Sequence, residues 1–257
     1  MVHEARSVVQ TMRDELSPAA VGPVVVGGML AEQLARELGA GADSGAVVVG
    51  TGSPRTGAEV FVHIIAGEPA EPDERLVREA GDAGIPVVIV QLWPQADWTR
   101  PYVLSPFVVE CRAGEGFPLR EIADRIVETS EHGPLLASRV PTLRDAVRQR
   151  VVRQAIVRAV CLGAGYASKG ASRPLIALEQ VRMLARLRAA DTGSSEEMPV
   201  IAGGAALALA TGFALRGVAR SARRVLPEPV ANVAVAAAGT WALAKAMRAL
   251  EARILST

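Results

Sequence analysis

Along the first half of the chain, apolar residues fall into short unbroken runs: Pro23–Val26, Ala46–Val49, Val60–Ile65 and Pro86–Val90, with a weaker fifth at Phe107–Glu110. Continuous runs, unlike alternating ones, predict strands covered on both faces, the habit of a parallel sheet. Between them, apolar residues recur at helical spacing over Met29–Leu38, Asp73–Gly81 and Leu119–Thr129, and residues 1–16 read as a short amphipathic helix. Strand and helix in this alternation predict a parallel, doubly wound α/β sheet. The link from Val49 to Val60, rich in Gly, Ser and Thr, is expected to be a loop.

After Gly133 the pattern changes. Pro134 and Pro141 bracket an expected linker, and no strand pattern follows. The chain therefore reads as two domains, 1–133 and 134–257, the second all-α and rich in Ala and Gly. Thr142 to Asp145 resembles a capping box. It would open a long helix with Leu143, Val147, Val151, Val152, Ile156 and Val160 inward. Pro174 can start the next helix, which carries Ile176, Gln180, Met183, Leu184 and Leu187 on one stripe. Two apolar helices are expected last, Met198–Leu215 and Pro229–Ala244, with Lys245–Ile254 continuing the second.

Composition narrows the chemistry. Half of the 257 residues are hydrophobic but only 4% are aromatic, so the core must be built from aliphatic side chains. A net charge of +1 gives no basic excess, so no nucleic-acid partner is expected. Cys111 and Cys161 stand apart, giving neither a disulfide framework nor a zinc site, and a reducing cytoplasm is the natural compartment. His3, His63 and His132 lack metal-ligand spacing, and no cofactor or metal is expected. Ser53, Ser105, Ser130 and Ser138 lack a nucleophile-elbow context. Glu68, Glu71, Asp73 and Glu74 read as a solvated helix start.

The order of elements over residues 23–130 resembles a small Ras-like GTPase domain of the Era type. Val60–Ala66 sits where the strand after the switch region belongs. Gln91-Leu-Trp-Pro94 takes the place of the guanine-reading Asn-Lys-x-Asp, and Cys111–Gly116 that of the last base-contacting loop. An unrelated flavodoxin-like sheet would give the same order of runs. Each motif that GTP needs is missing. The first strand ends Gly27-Gly28-Met-Leu-Ala-Glu32 with no Gly-Lys-Ser/Thr, and the only lysines are Lys169 and Lys245. Gly50-Thr-Gly-Ser53 replaces the Asp-x-x-Gly that would reach metal and γ-phosphate. Without that electrostatic clamp, hydrolysis is not expected. The resemblance implies a degenerate, non-catalytic relative.

The helical half resembles the YcjF-like DUF697 family. Pro174 with Gln180-x-x-Met183 carries the likeness, with the Gly/Ala-rich helix after Met198, then Leu226-Pro227 and the stretch around Gly239-Thr240-Trp241. Such domains accompany GTPase domains. Met198–Leu215 is uncharged, at the lower limit for a membrane span, yet Arg216, Arg220, Arg223 and Arg224 follow it, against the positive-inside rule for a cytosolic α/β half. Soluble packing and membrane contact both stay open.

The expectation is a pseudo-GTPase that neither binds nor hydrolyses GTP. It would be a cytoplasmic interaction or regulatory protein, with membrane association as the alternative, through a helical hairpin. Its partner would be a protein, a true GTPase among the candidates, with self-association also open. Trp93 and Trp98, on a loop at the carboxyl end of a strand, are the candidate partner surface.

Overall fold

A computed structural model describes residues 21–52, 57–94, 107–165, 172–193 and 228–254. Five strands form one all-parallel sheet: β1 (Val24–Gly28), β2 (Val47–Val49), β3 (Val60–Ala66), β4 (Val87–Leu92) and β5 (Val108–Cys111). Their spatial order is β2-β1-β3-β4-β5. The expected runs are all strands, several extended by one or two residues at the carboxyl end. Helix α1 (Ala31–Leu38) joins β1 to β2 and packs on both. Helix α2 (Glu71–Asp82) joins β3 to β4 and packs on both, and α3 (Leu119–Thr129) follows β5.

The chain steps outward from β1 to β2 on one side and from β3 to β4 on the other. Right-handed crossovers then put α1 and α2 on opposite faces. Side chains bear this out for α2: Ala80 and Leu76 pack with Val25, Phe61 and Ile85, and Val77 with Ile65 and Ile89. The residues between them on each strand, Val24, Val26, Val62, Ile64, Val88 and Val90 among them, are also buried and face the other way. Strands buried on both sides explain the unbroken apolar runs. The link from β2 to β3 carries no helix among its described residues, as the loop expectation required.

Two expectations near the divide are corrected. The residues between Pro134 and Pro141 are not a linker: Gly133–Arg139 is helix α4, its Pro134 in the first turn where a missing N–H costs nothing, and Pro141–Leu143 is a 3₁₀ turn. Thr142, expected to open the next helix, lies inside that 3₁₀ turn, and its hydroxyl donates to the Leu38 carbonyl at the end of α1. Compact units comprise residues 15–147 with 189–193, and residues 1–14, 148–188 and 194–257. The division falls at Val147/Arg148, inside helix α5 (Arg144–Gly165), where the sequence reading put it at 133/134.

Along α5 the buried stripe is Val147, Val151, Ala155 and Ala159; Val152, Ile156 and Val160 are only partly buried and Val157 is exposed. Helix α6 (Ser172–Thr192) buries Gln180, Met183, Leu184 and Leu187 of its expected stripe, the Ile176 side chain lying outside the described residues, and α7 (Glu228–Ile254) is one continuous helix. Gln180 Nε2 donates to Thr240 Oγ1 of α7 at 3.4 Å, and the Thr240 hydroxyl donates to the Ala236 carbonyl at 2.9 Å. No helix among the described residues is long and apolar enough to cross a membrane. The first helix of the expected hairpin, Met198–Leu215, and the N-terminal helix of residues 1–16 lie outside the described residues.

Candidate functional site

In an open parallel sheet, ligands sit outside the carboxyl ends of the strands where the chain changes direction, here between β1 and β3. At that point β1 runs to Gly28, which pairs with Ile64 of β3, and the Met29 N–H donates to the Ile64 carbonyl at 3.1 Å. Gly28 has φ 91°, and a side chain there would drive Cβ to 2.0 Å from the Ile64 oxygen, so no other residue fits. Only Met29 and Leu30 separate β1 from α1. A phosphate cradle of the P-loop kind needs about four residues between its first glycine and its Gly-Lys pair, with free N–H groups turned inward. This turn is too short, and its first N–H is already bonded to the sheet.

The turn exposes apolar side chains instead. Met29 is 52% exposed and Leu30 45%. Leu30 is the N-cap of α1, yet it is left-handed (φ 58°, ψ 22°) and caps nothing with its side chain. Beside it, a groove of about 740 Å³ runs between α1 and the loop after β2, lined by Gly28, Leu30, Glu32, Arg36, Glu37 and the half-exposed Val49. Arg36 is a cation near this edge, which the lysine count alone overlooks, but it stands between two carboxylates on an exposed helix face.

Trp93, a candidate from the sequence, directly follows β4. Trp93 is 49% exposed and left-handed (φ 50°), its N–H donating to the Cys111 carbonyl of β5 at 2.8 Å. Leu30 and Trp93 are the non-glycine residues with positive φ among the described residues, and both are large and exposed at one sheet edge. Backbone strain of this kind collects at functional sites. Trp98, the other expected surface residue, lies outside the described residues.

Gln91, where the first base-reading residue would stand, is fully buried. Its Nε2 donates to the Gly67 carbonyl, which fixes the orientation of the amide and leaves Oε1 a buried acceptor without a partner among the described residues. His63, 1% exposed on β3, bonds through Nε2 to Asp73 Oδ1 at 2.8 Å, and its ring stacks on Phe61. The carboxylate calls for the proton on Nε2. Asp73 also accepts from the Ala70 N–H at 3.0 Å, so one side chain caps α2 and ties it to β3. The acidic segment is thus a helix start, as expected, with a buried histidine as an anchor that the sequence did not signal.

Groups of a hydrolytic triad do meet at the opposite, amino end of the sheet, in the wrong order. Ser130 Oγ donates to Glu59 Oε1 at 2.6 Å, while His132 reaches Glu59 Oε2 through Nδ1 at 3.3 Å and Oε1 through its backbone N–H at 3.1 Å. The serine proton is held by the carboxylate and not by the imidazole, so the Ser–His pairing of a hydrolytic triad is not assembled. The Ser138 hydroxyl is donated to the Leu135 carbonyl at 2.7 Å. The Cys111 thiol is pushed above its ordinary range by burial and then by the charges of Glu115 and Glu37, the reverse of an activated nucleophile. Among the described residues, no group of three or more His, Cys, Asp or Glu side chains could hold a metal ion. No family model, curated protein or solved structure matches the chain.

Proposed function

We propose that the protein is a non-catalytic interaction protein, a pseudo-GTPase whose nucleotide edge has become a docking surface for another protein. The observation that carries the reading is the pair of strained, exposed apolar residues, Leu30 and Trp93, at the one edge where this class of sheet holds ligands. The two-residue β1–α1 turn supports it, as do the buried Gln91 and the carboxylates of Glu32 and Glu37 where phosphates would lie. The strand order is compatible with a GTPase core lacking its antiparallel strand, and equally with a flavodoxin-like sheet. Contact between Gln180 and Thr240 joins two segments on which the likeness to the YcjF-like family rests, and so supports a helical half of that kind.

Titration of the full chain with labelled GTP, GDP and ATP in the presence of Mg²⁺ tests this. No saturable binding is expected. Tight, Mg²⁺-dependent binding of any of the three would overturn the proposal.

A further inference from the structure

The docking edge carries a second pattern besides its apolar residues. Glu32 lies in the first turn of α1, Glu68 follows β3, Glu71 opens α2, and Glu110 and Glu115 flank the end of β5; all five are exposed. None has an ion pair or side-chain hydrogen bond among the described residues. The nearby cations of α2 are engaged, Arg78 with Glu74 at 3.3 Å and Arg75 with Glu79 at 3.8 Å. Arg36, Arg112 and Arg120 are other described cations close to this edge, fewer than the five carboxylates. Met29, Leu30, Val49 and Trp93, all exposed, thus share the carboxyl edge of the sheet with a border of negative charge.

Such a border repels nucleotide phosphates, nucleic acid and anionic lipid alike, and attracts cations. Given the docking reading above, on which this rests, we infer that the occupant is a basic amphipathic segment of a partner protein. Its apolar face would cover Met29, Leu30 and Trp93, and its cations would meet the ring of glutamates.

The test uses the full chain carrying W98F and W241F, so that Trp93 is the sole tryptophan. It is titrated with a helical Leu/Lys peptide of segregated faces, a scrambled peptide of the same composition, and a Leu/Glu counterpart. A salt-sensitive blue shift of Trp93 emission is expected with the segregated Leu/Lys peptide alone. The exposed double reversal Glu68→Lys/Glu71→Lys should weaken that peptide roughly tenfold and favour the Leu/Glu one. Equal binding of the acidic or scrambled peptide, indifference to the double reversal, or no spectral change with any peptide would each overturn the inference. Those results leave the wider docking reading standing, whereas tight Mg²⁺-nucleotide binding would remove its basis.

Discussion

Leu30 makes the cost of the carboxyl edge visible at the scale of one residue. A left-handed L-residue costs about 1–2 kcal/mol, and an exposed leucine gains little burial in return. Asparagine tolerates that backbone, so Leu30→Asn should raise stability by about 0.5–1 kcal/mol while weakening partner binding. Chemical denaturation reads the first effect; a lower midpoint would mean that Leu30 contributes to the fold and is not held in place for docking. Cys111 gives a pH effect of definite sign. Its folded pKa is raised above the ordinary 9.0, so the protonated thiol's contribution is complete below that value and is lost as pH rises through the folded pKa. Stability should therefore fall above about pH 9 more steeply in the native chain than in Cys111→Ala. A thiol reagent should modify the exposed Cys161 at once and Cys111 only on unfolding. Prompt reaction of both would contradict the burial.

Between elements, single side chains replace long stretches of packing. Glu59, at the start of β3, accepts the Ser130 hydroxyl and the His132 N–H and so fixes the joint between α3 and α4. Glu59→Ala leaves those donors without their carboxylate and should cost about 2–3 kcal/mol, with Glu59→Gln recovering part of it. The measure is the urea midpoint at unchanged slope. A loss under half a kcal/mol on that scale would mean that water serves the joint equally well. His63 and Asp73 do the same work at the other end of β3, where α2 begins. Neither link could be read from sequence, because each joins residues whose spacing follows no helix or strand period.

At the scale of the whole molecule, local pattern and long-range geometry separate cleanly. The central strands β1, β3 and β4 were legible because both faces of each are covered, and a fully buried strand writes itself as an unbroken aliphatic run; the edge strands β2 and β5 kept short runs although Val49 and Glu110 are exposed. Helices α1, α2 and α3 were legible through their apolar spacing, and Trp93 as an exposed candidate through its place after a strand. The α4 helix was misread as a linker because prolines mark helix starts as well as breaks. Of the stripe expected for α5, Leu143, Val147 and Val151 are buried, whereas Val152, Ile156 and Val160 are only partly so and Ala155 and Ala159 are buried in addition. By itself, then, the sequence determined the order and kind of the α/β elements and the lack of any phosphate-binding lysine, since both are properties of neighbouring residues. Only the tertiary structure decided that Met29, Leu30, Val49, Trp93 and five glutamates share one edge, because parallel connections carry strand ends that are far apart in the chain to the same side of the sheet.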